Sequence, residues 1–296
     1  MSLAIKPRVT PALTATVFLV VLLAGALSLA LAGPARADST EVVTLGADLS
    51  AAQRQEMLDL FGVSEGDLPV LEVTNKEERD YLQGLISDAQ IGTRSISSVY
   101  VRLKDDGSGI AVQTSNITYV TEQTYANALV TAGIADADVF AAAPFPVSGT
   151  AALTGVFKAF EEATGKTISA AAKEAATQEL VDTAEVGDQV GDKDAIAELV
   201  KLAKEEIVSR GLNDEASIRE VLVRISGQLD LRLTDEQLDR LAKVLVQVQG
   251  LHLDLSKVQS QLKDFQTRIG VSGDEAKGIW ESIKGLFSKI WEAIFG

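Results

Sequence analysis

The stretch Asp138-Val-Phe-Ala-Ala-Ala-Pro-Phe-Pro-Val-Ser-Gly-Thr-Ala-Ala-Leu-Thr-Gly155 decides the fold. Val139, Phe140 and three alanines follow one another without polar alternation, the pattern of a strand covered on both faces. Pro144 and Pro146 have no N–H to give a ladder, so pairing is expected to stop there. Ser148 is a good N-cap, and Leu153, Val156, Phe157 and Phe160 follow at helical spacing up to a Gly165 stop. A buried strand feeding a helix through a short turn is a place where a sheet presents a ligand. Ser148, Gly149 and Thr150 at that turn offer a cradle for an anion, because free N–H groups and the helix dipole point there. The turn lacks the lysine of a P-loop and is not a Gly-x-Ser-x-Gly elbow, so capping alone also accounts for it.

Upstream, residues 42–45 and 68–73 read as strands. Ser50 and Gln53 make a capping box for a helix with Met57, Leu58 and Phe61 inward and Gly62 closing it. Asn75-Lys-Glu-Glu78 reads as the cap of another helix, with Tyr81, Leu82, Leu85 and Ile86 on one face. Residues 96–104 are rich in β-branched side chains and alternate. Asp105-Asp-Gly-Ser-Gly109 then supplies residues that tolerate positive φ, so a hairpin returning from Ile110 is expected. Thr121 opens a helix with Tyr125, Leu129 and Ala132 inward and Gly133 at its end. Strands joined both by a hairpin and by helices imply an α+β class: a mixed sheet with covering helices over residues 38–165.

Residues 1–37 have a basic start at Lys6 and Arg8, an apolar stretch over 12–31 and the small-residue ending Ala35-Arg-Ala37, which read together as a secretory signal peptide. The apolar stretch is longer than most signal cores, and an uncleaved anchor is the alternative. The 296 residues, 46% of them hydrophobic, are enough for two cores. Loss of Lys6, Arg8 and Arg36 with the leader leaves 24 basic against 42 acidic residues, a net charge of −18. Such a surface repels phosphate backbones, so no nucleic-acid partner is expected. With no cysteine there is no disulfide and no thiol chemistry, and export without disulfides suits a bacterial envelope or extracellular setting.

The strings Leu45-Gly-Ala-Asp-Leu-Ser50, Val73-Thr-Asn-Lys-Glu-Glu78, Ile91-Gly-Thr-Arg-Ser-Ile-Ser-Ser-Val-Tyr100, Asn116-Ile-Thr118, Asn127-Ala-Leu129 and Ala142-Ala-Pro-Phe-Pro-Val-Ser-Gly-Thr-Ala-Ala-Leu-Thr-Gly155 carry a further signal. Through them the chain resembles the YpuA-like family of exported bacterial proteins, a domain of unknown function, over most of residues 45–269. The resemblance implies export and a shared fold. It implies no reaction, and no catalytic role comes with it.

Beyond Gly165 the composition turns to alanine with scattered acids, which predicts a helix followed by a hinge at Gly187-Asp-Gln-Val-Gly191, over residues 166–191. A helical domain over residues 192–270 follows, with helices over 192–210 and 213–229 and a long helix opened by the box Thr234-Asp-Glu-Gln237. There Leu238, Leu241, Leu245 and Val248, then Leu251, Leu255, Val258, Leu262, Phe265 and Ile269, make a coiled-coil-like heptad seam. The short step beside Gly250 predicts a stammer or a break into two helices. In residues 274–296 an amphipathic C-terminal helix is expected. Trp280, Ile283, Phe287, Ile290, Trp291 and Phe295 share its apolar face, a candidate for membrane or partner contact. The plain alternative is packing onto its own domain.

No catalytic set, metal ligands or cofactor motif emerges. His252 is the only histidine, so a zinc site or a Ser–His–Asp triad has little to draw on. The pairs Glu77-Glu78, Glu161-Glu162 and Glu205-Glu206 are chain neighbours whose side chains diverge on a helix, and they read as solvated faces. Arg94 and Arg102 are positioned to meet an acidic ligand or, more ordinarily, local carboxylates. These readings point to an exported binding or structural module that docks through its C-terminal helix. The alternative is an extracellular enzyme or small-anion-binding protein using the turn at Ser148–Thr150.

Overall fold

The apolar run becomes β5 (Ala137–Val147), an interior strand flanked by β3 (Ser98–Leu103) and β4 (Ile110–Ile117). With β1 (Glu41–Gly46) and β2 (Val70–Val73) these form one mixed sheet in the order β2-β1-β3-β5-β4. The structure is a computed structural model that describes residues 40–253 and Val258. β1 pairs with β2 in parallel and with β3 antiparallel, while β5 pairs with β3 antiparallel and with β4 in parallel.

The expected hairpin across residues 105–109 does not form. β3 and β4 run in opposite directions but lie on either side of β5, so their connection spans two strand spacings, about 10 Å. Asp136 holds the arrangement. Its carbonyl accepts from the Lys104 N–H at 2.7 Å and its carboxylate from the Gly109 N–H at 2.7 Å, fixing the start of β5 between the two strand ends. Nor does β5 stop at its prolines. It pairs with β3 only as far as Ala142 opposite Ser98, but its pairing with β4 resumes with Val147 opposite Ile117 after a bulge. Across that bulge the Asn116 side chain donates to the Ala143 carbonyl at 2.8 Å, and the Thr118 N–H donates to the Val147 carbonyl at 2.9 Å. Odd-numbered residues therefore face β4, and the missing N–H groups of Pro144 and Pro146 fall on the edge where β3 has already ended.

Helices cover both faces, as the lack of alternation in β5 requires. Met57 and Leu58 of α1 (Ala51–Phe61) pack on Val43, Leu45 and Ala142. On the other face Leu129 of α4 (Glu122–Thr131), Val156 and Phe157 of α5 (Thr150–Thr164) and Leu180 of α6 (Ala170–Val190) meet Val99, Val101, Val139 and Ala141. Between β2 and β3 lie α2 (Asn75–Leu82) and the short α3 (Asp88–Ile91). The cap of α2 is Thr74, one residue earlier than expected. Its side chain accepts from the Glu77 N–H, and the Glu77 carboxylate accepts from its N–H at 2.8 Å. The boxes at Ser50 and Thr234 form as expected.

α6 runs on through the expected hinge to Val190, and left-handed Gly191 ends it. Ala176, Leu180 and Val181 belong to the sheet-side core while Val186 belongs to the core of the helical half, so one continuous helix serves both. α7 (Lys193–Arg210), α8 (Glu215–Gln228) and α9 (Asp235–Gly250) complete that half around Ile196, Leu199, Leu222, Leu241 and Leu245. The heptad helix breaks at Gly250: Leu251 caps it and His252 takes a left-handed φ of 52°. Of the seam positions beyond the break, only Leu251 and Val258 are among the described residues.

One buried ion pair fastens the two halves. Lys204 of α7 donates to Glu179 of α6 at 2.6 Å, to the Asn127 carbonyl at 2.8 Å and to Thr131 Oγ1 at 2.8 Å, both of the latter on α4. Lys204 and Glu179 are 2% and 1% exposed at the side chain, so neither charge can be rescued by water. Burial pulls the Lys204 pKa down and the carboxylate opposes it. Breaking such a pair from one side typically costs about 3–5 kcal/mol, whereas replacing both partners by apolar residues is often near neutral. Lys204→Met is expected to lower the unfolding free energy by that amount, and Lys204→Met with Glu179→Leu to restore most of it, as read by urea denaturation.

Candidate functional site

Where β3 and β5 part company, the sheet opens into a cleft of about 500 Å³ at the carboxyl ends of β1, β2, β4 and β5. Its first wall is the segment 91–97 leading into β3. That segment crosses the end of β1 so closely that any side chain at Gly46 would collide with the Ser95 backbone. Asp48 holds it there, accepting from the Ser95 N–H at 2.7 Å and donating its own N–H to the Ser95 carbonyl at 3.1 Å. Arg79 of α2 clamps the other end, donating to Asp88 at 2.7 Å and to the Gly92 carbonyl at 2.7 Å. The second wall is residues 145–148 of the β5 exit with Thr118 and Tyr119. Lys193, the first residue of α7, donates to the carbonyls of Thr118 and Tyr119 at 2.9 and 3.1 Å and sits 5.5 Å from the Tyr119 ring centre.

Of the three turn residues, each does something different. Ser148 lines the cleft but caps nothing: the residue at the N-cap position of α5 is Gly149, with φ of 91°, and no side chain caps the helix. Gly149 is scaffold. The buried Tyr125 hydroxyl donates to its carbonyl, and a Cβ there would run into Ile117. Thr150 is buried and turned inward, donating to Glu78 at 2.9 Å, and its hydroxyl lies 3.2 Å from that of Ser148.

Glu78, expected on a solvated face, is instead 1% exposed in the wall of the cleft. Burial raises its pKa to about 7, against the pull of Thr150, Asn75 and Arg79. The signal lay in the spacing. Once Thr74 caps α2 and Glu77 completes the box, Glu78 stands one turn before buried Leu82 and shares its stripe. The two arginines divide. Arg102 pairs with Asp138 at 2.6 Å, while Arg94 is exposed on the cleft rim with no hydrogen bond or ion pair among the described residues. His252 is exposed just after α9 and does not line the cleft. Trp280, Ile283, Phe287, Ile290, Trp291 and Phe295 lie outside the described residues.

The family model described as "Protein of unknown function (DUF1002)" matches residues 45–265. The chain belongs to this family. It is 41% identical over 256 residues to "Uncharacterized protein YpuA" of Bacillus subtilis (strain 168), a match covering 86% of this chain and 88% of that protein. No solved structure matches the chain.

In this DUF1002 protein the cleft brings together a carboxyl group whose pKa burial lifts to about 7, two hydroxyls in line with it and one guanidinium that has no partner among the described residues. Among the described residues no group of three or more histidines or carboxylates is placed to hold a metal ion, and no helix is long and apolar enough to cross a membrane. The groups in the cleft wall can form hydrogen bonds, and Glu78 can take up or release a proton. Because the folded state keeps the Glu78 proton up to about pH 7 while the unfolded chain loses it near 4.5, stability falls as pH rises through that window and is flat above it. Glu78→Gln removes this dependence. Urea titrations across the window are expected to show the variant gaining on the parent by roughly 3 kcal/mol between the two limits.

Proposed function

We propose that this DUF1002 protein is an exported, non-enzymatic binding module of the bacterial envelope that takes a small polar ligand into the cleft between the β3 entry and the β5 exit. The observation that carries the reading is the chain Ser148–Thr150–Glu78, which ends at a carboxyl group buried in the cleft wall and faces a mixed lining of hydroxyls, apolar side chains and Arg94. Location supports it by fold-level analogy: in open sheets with parallel pairs, ligands favour the crevice beyond the carboxyl ends of the strands. Thr150 gives its hydroxyl to Glu78 and is buried, an arrangement suited to holding a polar wall in place. Export rests on the leader-like residues 1–37 and the acidic, cysteine-free composition.

A ligand-observed NMR screen of polar fragments tests the site. Fragments that bind the parent are expected to lose their signal change in Thr93→Trp, which places an indole at the exposed cleft mouth where no hydrogen bond is lost. Equal binding by the variant would move the ligand site elsewhere.

The sequence favours a second contact, docking of the amphipathic residues 274–296 to a membrane or a partner. Removing them is expected to release the protein from envelope fractions and from liposomes. Unchanged association with both would end that part of the reading.

A further inference from the structure

The cleft differs in charge from the molecule that carries it. The chain has 42 acidic and 27 basic residues, yet among the described residues lining this cleft Glu78 is the one carboxylate and Arg94 the one cation. Glu78 is already engaged by Thr150 at 2.9 Å, and burial lifts its pKa to about 7, so much of its charge is absent at neutral pH. Arg94 carries a guanidinium and stands on the rim without a partner among the described residues. Two other arginines of the sheet half are not so placed: Arg79 pairs with Asp88 at 2.7 Å and Arg102 with Asp138 at 2.6 Å. Ser97, Thr118 and Ser148 add hydroxyls to the walls, and Ile91, Phe145 and Val147 add apolar surface. The prolines of β5 leave the cleft edge of that strand without donors, so an extended peptide cannot add to it as a further strand.

We infer, resting on the reading of the cleft as a ligand site, that its ligand is a small organic anion: a carboxylate or phosphate head held by Arg94 and the wall hydroxyls, with an apolar body against Phe145 and Val147. Ionised Glu78 repels such a head. The groups that face Glu78 are Asn75 and Arg79 of its own helix, Thr150 of α5 and the Tyr125 phenol of α4, and of these only Arg79 carries charge near neutrality. Affinity for the anion therefore falls as pH rises through about 7.

Calorimetric titration of the full-length protein with benzoate, phenyl phosphate, benzylamine and benzyl alcohol tests this, because the four probes share a ring and differ in the head. One or both anions are expected to bind, the preferred one telling carboxylate from phosphate. Arg94→Gln is expected to weaken that binding by about tenfold or more and Arg94→Lys to recover part of it. Benzoate is expected to bind the parent more weakly at about pH 8.5 than at about pH 5.5, a difference that Glu78→Gln removes. Failure of both anions to bind, anion binding that is unchanged in Arg94→Gln, or a pH dependence that survives Glu78→Gln overturns the inference. If the amine or the alcohol binds at least as tightly as the anions and loses that binding in Thr93→Trp, the anion assignment falls while the ligand cleft stands.

Discussion

At Ala142 the strand β5 loses its antiparallel neighbour while keeping its parallel one, and the rest of the site follows from that separation. Up to that point β5 is paired on both edges and buried on both faces, so a change of register there would disturb two ladders and two cores at once. Beyond it, Pro144 and Pro146 remove the donors that would invite β3 to continue, and the bulge facing Asn116 lets the pairing with β4 recover at Val147, past the point where the β3 pairing ends at Ala142. The gap is thus a built feature. It is kept open on one side by the closeness of Gly46 to the Ser95 backbone and by the Asp48 and Arg79 clamps, and on the other by the pinned start of α5.

What the sequence made legible was mostly local. The buried character of β5, the caps at Ser50, Thr121 and Thr234, and the left-handed stops at Gly62 and Gly165 each depend on a few adjacent residues, and the structure has them. The expected hairpin fails because turn chemistry at residues 105–109 dictates that the chain reverses but not how far apart the reversed strands lie. That distance was set by Asp136, some 30 residues on, which no local window contains. The expected Ser148 cap fails for a similar reason: Gly149, in the N-cap position, is held by Tyr125 and packed against Ile117, which arrive from elsewhere in the chain. In the site, Glu78 stands three and four residues before Tyr81 and Leu82 and so shares their inward stripe, but its charge argues for solvent, and its partner Thr150 comes from α5, 72 residues on, which no local window contains.

The helical half is more than an appendage to this cleft. Lys193 reaches from the start of α7 to the Thr118 and Tyr119 carbonyls, while Lys204, three turns further along the same helix, is buried against α4 and α6. Tyr125, which pins Gly149, also lies on α4. One helix of the bundle is therefore tied to both the lip of the cleft and the helix that fixes its turn. Displacing α7 would move the part of the cleft wall that Lys193 holds, at Thr118 and Tyr119. Such a link is structural continuity, and it would become coupling only if α7 had a second stable position.

Glu78 sits where an apolar residue would serve stability better. It occupies the inward stripe of α2, one turn from Leu82, and burial there costs the carboxylate enough to raise its pKa to about 7. Three groups oppose that cost in part, Thr150, Asn75 and Arg79, yet none is a full counter-charge in direct contact. A carboxyl held in this way is neutral as often as charged near pH 7, and it can donate a hydrogen bond as well as accept one. Local rules are broken in natural proteins mainly where something other than stability is selected. The position of this exception, beside the point where the central strand is released from its neighbour, is the strongest reason to look for the protein's work there rather than on its more acidic outer surface.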